Sequence, residues 1–120
     1  LHNPSVISQV EFKSRREKQT VAFEVCGEWA QMYKIKTTNG ADYNIKPVYF
    51  SIELNEKRRV NVTYKGRSTK PPRQARITVV YGHQLKLSTT VEQAWEDQRH
   101  LSCVSSIEKR KYVTIKFKDD

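Results

Sequence analysis

Apolar and polar residues alternate along most of this 120-residue chain, and a period of two marks half-buried β-strands. Val6, Val10 and Phe12 share one face of a first strand. Val21, Phe23 and Val25 alternate with Thr20, Ala22 and Glu24 in a second, and Tyr33, Ile35 and Thr37 with Met32, Lys34 and Lys36 in a third. Val48, Phe50, Ile52 and Leu54 define the fourth, Val60, Val62 and Tyr64 the fifth, and Ala75, Ile77, Val79 and Tyr81 the sixth. In the last, Val113, Ile115 and Phe117 stand against Thr114, Lys116 and Lys118. About seven short strands, with a further candidate at 43–46, predict an all-β fold, an immunoglobulin-like sandwich of two sheets.

The connections have their own chemistry. Asn39-Gly40 suits the positive φ angles of a tight hairpin. Asn55-Glu56-Lys57 reads as a polar reversal between two strands. Pro71-Pro72 forces a loop, because neither residue can donate to a sheet. One segment departs from the alternation. Thr90 and Gln93 are spaced as a capping box, and Val91, Ala94 and Trp95 fall on one helical face. The spacing predicts one short helix over 90–99, before the last strand and laid against an end of the sandwich, with Trp95 as its anchor.

Composition adds limits. At 37% hydrophobic and 29% charged, the chain is too apolar for disorder, and positions 1–120 read as one domain with a real core. No apolar run approaches the roughly 20 residues that span a bilayer, so no direct membrane insertion is expected of this domain. The start, Leu1-His2-Asn3-Pro4, has neither a secretory apolar core nor an initiator Met; loss of a first residue or excision from a longer chain would each account for that. Two cysteines, Cys26 and Cys103, fit reduced thiols in a cytoplasmic protein, with a single bridge as the alternative. The Asn61-Val62-Thr63 sequon lies inside a strand pattern and is read as coincidental.

Net charge is +9, and its placement matters more than its size. Between positions 57 and 91 stand nine Lys or Arg residues and no acid, whereas elsewhere 13 basic residues balance 13 acidic ones. Such a bias speeds association with acidic partners and makes the rate salt-dependent. Catalytic chemistry, by contrast, has no visible anchor. His2, His83 and His100 are isolated from one another and from the cysteines at any metal-ligand spacing. Four glycines form no phosphate loop, and no carboxylate pair stands out. The expectation is a protein that is not an enzyme, without cofactor, metal or small-molecule substrate. Nucleic acid is a weaker alternative: basic residues interleave with Tyr64, Tyr81 and Tyr112, but those aromatics are assigned to the inward face and no nucleic-acid module signature is present.

Two stretches carry a resemblance. Tyr33-Lys34-Ile35-Lys36-Thr37-Thr38-Asn39 resembles the signature of major sperm protein (MSP) domains, an apolar-Lys-Thr-Thr run closing a central strand. Arg76-Ile77-Thr78-Val79-Val80-Tyr81 is similar to the strand that in sperm proteins reads Arg-Ile-Thr-Val followed by an acid and a Trp. Pro47 before a strand, and a helix with Trp95 before a basic last strand, agree with that layout.

The resemblance implies an immunoglobulin-like sandwich and non-enzymatic work of one of two kinds. Nematode sperm members dimerise and polymerise into the filaments of amoeboid sperm motility, and accessory members regulate them. Membrane-contact (VAP) receptors hold acidic peptides with two phenylalanines, the FFAT motif, between the Lys-Thr-Thr run and a Lys-apolar-Met triplet. Lys36, Thr37 and Thr38 match the first part, and Arg76 keeps the charge of the second, but Thr78 replaces its Met. Val48-Tyr49-Phe50 also continues where the receptors have a Gly-containing turn. Thr78 and Ile77 agree with the sperm proteins, although the loop at 65–73 is basic and proline-bearing where the filament protein is longer and more acidic. The expected contact surface is Lys34, Lys36, Thr37, Thr38, Arg76 and Thr78, and the expected partners are proteins with acidic surfaces or motifs, with a homodimer as a further possibility.

Overall fold

In the computed structural model, residues 4–27, 31–52, 56–66, 75–83, 89–99 and 109–119 are described. They contain β1 (Ser5–Val6), β2 (Gln9–Phe12), β3 (Gln19–Cys26), β4 (Gln31–Thr37), β5 (Tyr43–Lys46), β6 (Tyr49–Ile52), β7 (Lys57–Tyr64), β8 (Arg76–His83), the helix α1 (Val91–Arg99) and β9 (Lys109–Phe117). A four-stranded sheet runs in the order β1-β3-β7-β5, and a five-stranded sheet in the order β2-β9-β8-β4-β6. All neighbours are antiparallel except β2 and β9, which run parallel from Gln9 beside Thr114 to Phe12 beside Phe117.

The in-pointing members of the alternating runs meet between the sheets. Phe23, Val25, Val60 and Val62 from one sheet oppose Ile35, Ile77, Val79, Val113 and Ile115 from the other, all buried. Aromatic rings fill both ends of this layer. At one end, Phe12, Tyr43, Tyr64 and Phe117 pack with ring centroids 4.9–6.1 Å apart. At the other, Tyr33 stacks on Phe50 at 5.0 Å and on Tyr81 at 6.3 Å. A buried hydroxyl needs a partner, and Tyr33 donates to Gln31 Oε1 at 2.9 Å. Burial, reinforced by the nearby Tyr81 and Cys26, pushes the Tyr33 hydroxyl up to about 12. Tyr64 donates to the Arg15 carbonyl at 2.7 Å, tying the turn before β3 to the sheet.

The strand count is nine rather than seven among the described residues. The candidate at 43–46 is a strand, β5, and the expected first strand divides into β1 and β2, which belong to different sheets. Val6, Val10 and Phe12 still face the same core, and an inward residue has the same pattern whichever sheet carries it. For the same reason the expected hairpin at Asn39-Gly40 is not one. Asn39 and Gly40 lie in a turn between β4 and β5, which are in opposite sheets, and among the described residues the positive-φ glycine is Gly66 instead (φ 78°). β6 and β7 also lie in opposite sheets. Val48 stands exposed before β6 begins, not inside with Phe50 and Ile52. Pro71, Pro72, Leu54, His2, His100 and Cys103 lie outside the described residues; Cys26 is a free thiol.

The helix begins as expected. The Gln93 N–H donates to Thr90 Oγ1 at 3.1 Å, and the Ala94 N–H to the Thr90 carbonyl at 2.9 Å, which satisfies donors that the first turn leaves open. Its location differs from the expectation. Rather than closing an end of the sandwich, α1 lies on the outer face of the five-stranded sheet, where Ala94 and Trp95 bury Met32 and Val80. Those two are apolar at outward positions, in the runs Met32-Tyr33 and Val79-Val80-Tyr81 where alternation fails. They need a cover, and the helix supplies it.

Candidate functional site

With α1 over one end, the outer face of the five-stranded sheet stays open beyond Met32 and Val80. The registers of β4, β6, β8 and β9 set its rows. One row reads Arg110, Val80, Lys34 and Tyr49; the next Tyr112, Thr78 and Lys36; the third Thr114 and Arg76. Lys34, Lys36, Thr78 and Arg76 are thus neighbours on one surface, as the alternation predicts. Lys36, Arg76 and Tyr112 are exposed; Lys34 and Thr78 are half-buried.

Each side chain is held differently. Lys34 Nζ lies 4.9 Å above the Trp95 ring, so the helix fixes the first cation. The Arg76 guanidinium sits 4.3 Å from the centre of the Tyr112 ring, a diagonal cross-strand contact worth about 0.5–1 kcal/mol at an exposed site. Thr38 continues β4 by one residue: its N–H donates to the Arg76 carbonyl and its hydroxyl accepts from the Arg76 N–H, both at 3.2 Å. It therefore holds Arg76 in register. Among the described residues, no carboxylate pairs with Lys36 or Arg76; ion pairs form elsewhere, as between Lys57 and Glu24 at 4.0 Å and between Lys118 and Glu11 at 3.8 Å.

Thr37 is the expected site residue that the structure sets apart. It shares the inward parity of Tyr33 and Ile35, and its Oγ1 is buried without a hydrogen-bond partner. Tyr112 is the residue that the sequence reading misplaced. Assigned to the inward face, it is 47% exposed and faces outward. Its position alternates with Val113 in step with Thr114 and Lys116, so the period of two carried the signal. Tyr64 and Tyr81 are buried as expected.

Among the described residues, no group of three or more His, Cys, Asp or Glu is placed to hold a metal ion, and no helix is long and apolar enough to cross a membrane. What the geometry offers is an open platform of cations with two exposed aromatic rings, Tyr49 and Tyr112, on an immunoglobulin-like sandwich. Residues 4–100 match the MSP (Major sperm protein) domain. The chain belongs to the major sperm protein domain family.

Solved structures agree in fold. WR4, an MSP family member of Caenorhabditis elegans, superposes with a TM-score of 0.71 at 14% identity, over 93% of this chain and 94% of that one. SSP-19, an MSP-domain protein-like family member of the same nematode, gives 0.67 at 14%, over 91% and 94%. The periplasmic chaperone SfaE gives 0.57 at 12% identity, over 97% of this chain and 58% of its own. No curated protein is significantly similar in sequence.

Proposed function

We propose that this chain is a non-enzymatic protein-interaction module of the cytoplasm, docking acidic protein segments on the outer face of β4, β8 and β9, in an assembly or regulatory role of the kind sperm-type motility requires. One observation carries the reading: Lys36, Arg76 and Tyr112 are exposed side by side around Thr78, without a carboxylate paired to either cation among the described residues. Exposed cations on an open sheet face set the capture rate for an acidic partner, while the ring and the backbone contacts set its lifetime.

A receptor-like reading has support from Tyr112. Thr78 lacks the soft apolar surface of the receptors' Met, but the Tyr112 ring beside it offers apolar area to an aromatic residue of an acidic peptide. The test is fluorescence anisotropy of a labelled acidic peptide bearing two phenylalanines, and of a single-stranded oligonucleotide, each titrated at several salt concentrations. Charge reversal by Lys36→Glu and Arg76→Glu is expected to weaken peptide capture roughly tenfold or more, about 1.4 kcal/mol, while the melting temperature falls only by the few degrees that loss of the Arg76–Tyr112 contact implies. Peptide binding that survives the double reversal refutes the docking face. Tighter binding of the oligonucleotide, with a steep logarithmic salt slope, would reassign the platform to nucleic acid.

A further inference from the structure

The opposite side of the sandwich holds a second basic feature, built around two lysines that line one concavity. The β3–β7 ladder ends with Gln19 opposite Tyr64, and continuing its register by one step sets Lys18 against Lys65. Both share the parity of Thr20 and Thr63, the face turned from the core. The backbone holds these two in place. Gly66 adopts φ 78°, and a Cβ there would come within 2.8 Å of the Lys18 nitrogen and 3.0 Å of the Glu17 carbonyl carbon. Only a glycine permits so close an approach in that conformation. From the other side, the Lys65 N–H donates to the Asp42 carbonyl at 2.9 Å.

Between the lysines lies a concavity of about 360 Å³, lined by Lys18, Asn44, Thr63 and Lys65. These four described residues carry two ammonium groups, an amide and a hydroxyl, and none of them is a carboxylate. Thr63 Oγ1 is 2.8 Å from Thr20 Oγ1; when Thr20 donates in that bond, the Thr63 proton is left for a ligand. Among the described residues, no carboxylate pairs with either lysine.

We infer that this concavity binds the phosphate group of a small phosphate monoester. Two lysines match a dianion as point charges, and Asn44 and Thr63 supply neutral donors to its remaining oxygens. A bound dianion neutralises both lysines at once. This face lies on the four-stranded sheet, so its occupation leaves the platform on the other sheet accessible, and either proposal can fail alone.

The experiment is an amide NMR titration of the full chain with inorganic phosphate and with O-phosphoserine, against chloride at equal ionic strength, accompanied by thermal melts. Saturable shifts at positions 18, 44, 63 and 65 are expected with both phosphates, together with a higher melting temperature. K18Q/K65Q is expected to lose both responses, with at least roughly tenfold weaker binding, and to melt as the wild type does in phosphate-free buffer. Equal shifts with chloride, or an undiminished phosphate response in K18Q/K65Q, would overturn the inference. So would capture by vesicles containing phosphatidic acid without any response to soluble phosphate, which would assign the lysines to a membrane surface.

Discussion

Tyr33 offers a direct test of how the core is held. Its hydroxyl is buried, donates to Gln31 Oε1 at 2.9 Å, and is pushed from 10.0 up to about 12. Because the folded value is raised, the neutral hydroxyl contributes stability that is complete below pH 10 and is lost as pH rises toward 12. A rise of that size corresponds to about 3 kcal/mol, of which roughly half is gone by about pH 11.

Tyr33→Phe removes this titration and also the bond, leaving the buried Gln31 oxygen without its donor at a cost of about 1–3 kcal/mol. Wild type should therefore be the more stable protein at about pH 8, and its advantage should shrink by about 1.4 kcal/mol by about pH 11 and further toward pH 12. Urea denaturation followed by tryptophan fluorescence, both proteins at each pH, measures the difference. Lysine titrations and those of tyrosines away from Tyr33 are common to both and cancel, while the coupling to Tyr81 is part of the Tyr33 rise itself. A wild-type advantage that stays constant through about pH 11.5 would refute the argument that burial holds this hydroxyl neutral.

Other substitutions probe other joints of the fold. Gly66→Ala combines a left-handed φ with backbone contacts under 3.0 Å or at that limit and should cost about 1–3 kcal/mol, whereas Gly40→Ala, with open space around its Cβ, should be close to neutral in the same denaturation assay. Trp95→Ala should cost about 3–5 kcal/mol and expose Met32 and Val80, detected as new binding of a hydrophobic dye. Thr90→Ala removes the oxygen that caps Gln93 and should cost about 1 kcal/mol, read from the urea midpoint. Tyr112→Ala should cost no more than the roughly 0.5–1 kcal/mol of its contact with Arg76 while shortening the lifetime of an acidic-peptide complex in a stopped-flow displacement measurement.

The core was legible in the sequence because a residue buried between two sheets and a polar one facing water are different chemical types. Ile35, Ile77, Val79 and Val113 follow from that rule alone. Sheet membership does not follow, since Val6 and Val10 look alike while lying in opposite sheets. The helix was visible through Thr90 and Gln93, but its resting place depended on Met32 and Val80, whose apolar character is hidden among neighbours that are also apolar. On the platform, Lys34, Lys36, Thr78 and Arg76 are outward by simple parity. Thr37, though inside the same motif, is inward by that same parity. The lysine pair at 18 and 65 was beyond reach, because two segments far apart in the chain become neighbours only through the β3–β7 register.

The parallel β2–β9 pair has a mechanical meaning. Ser8 and Phe12 carbonyls accept from Thr114 and Lys118 across it, each at 2.9 Å. A pull on the chain before β2 and after β9 drags these strands past each other along their length. All their hydrogen bonds are then stressed at once, instead of parting one by one as in a peeled hairpin. A domain strung in tension between two attachments would resist extension through this clamp, and its rupture force would depend on the rate of loading, because forced unfolding is governed by the unfolding barrier.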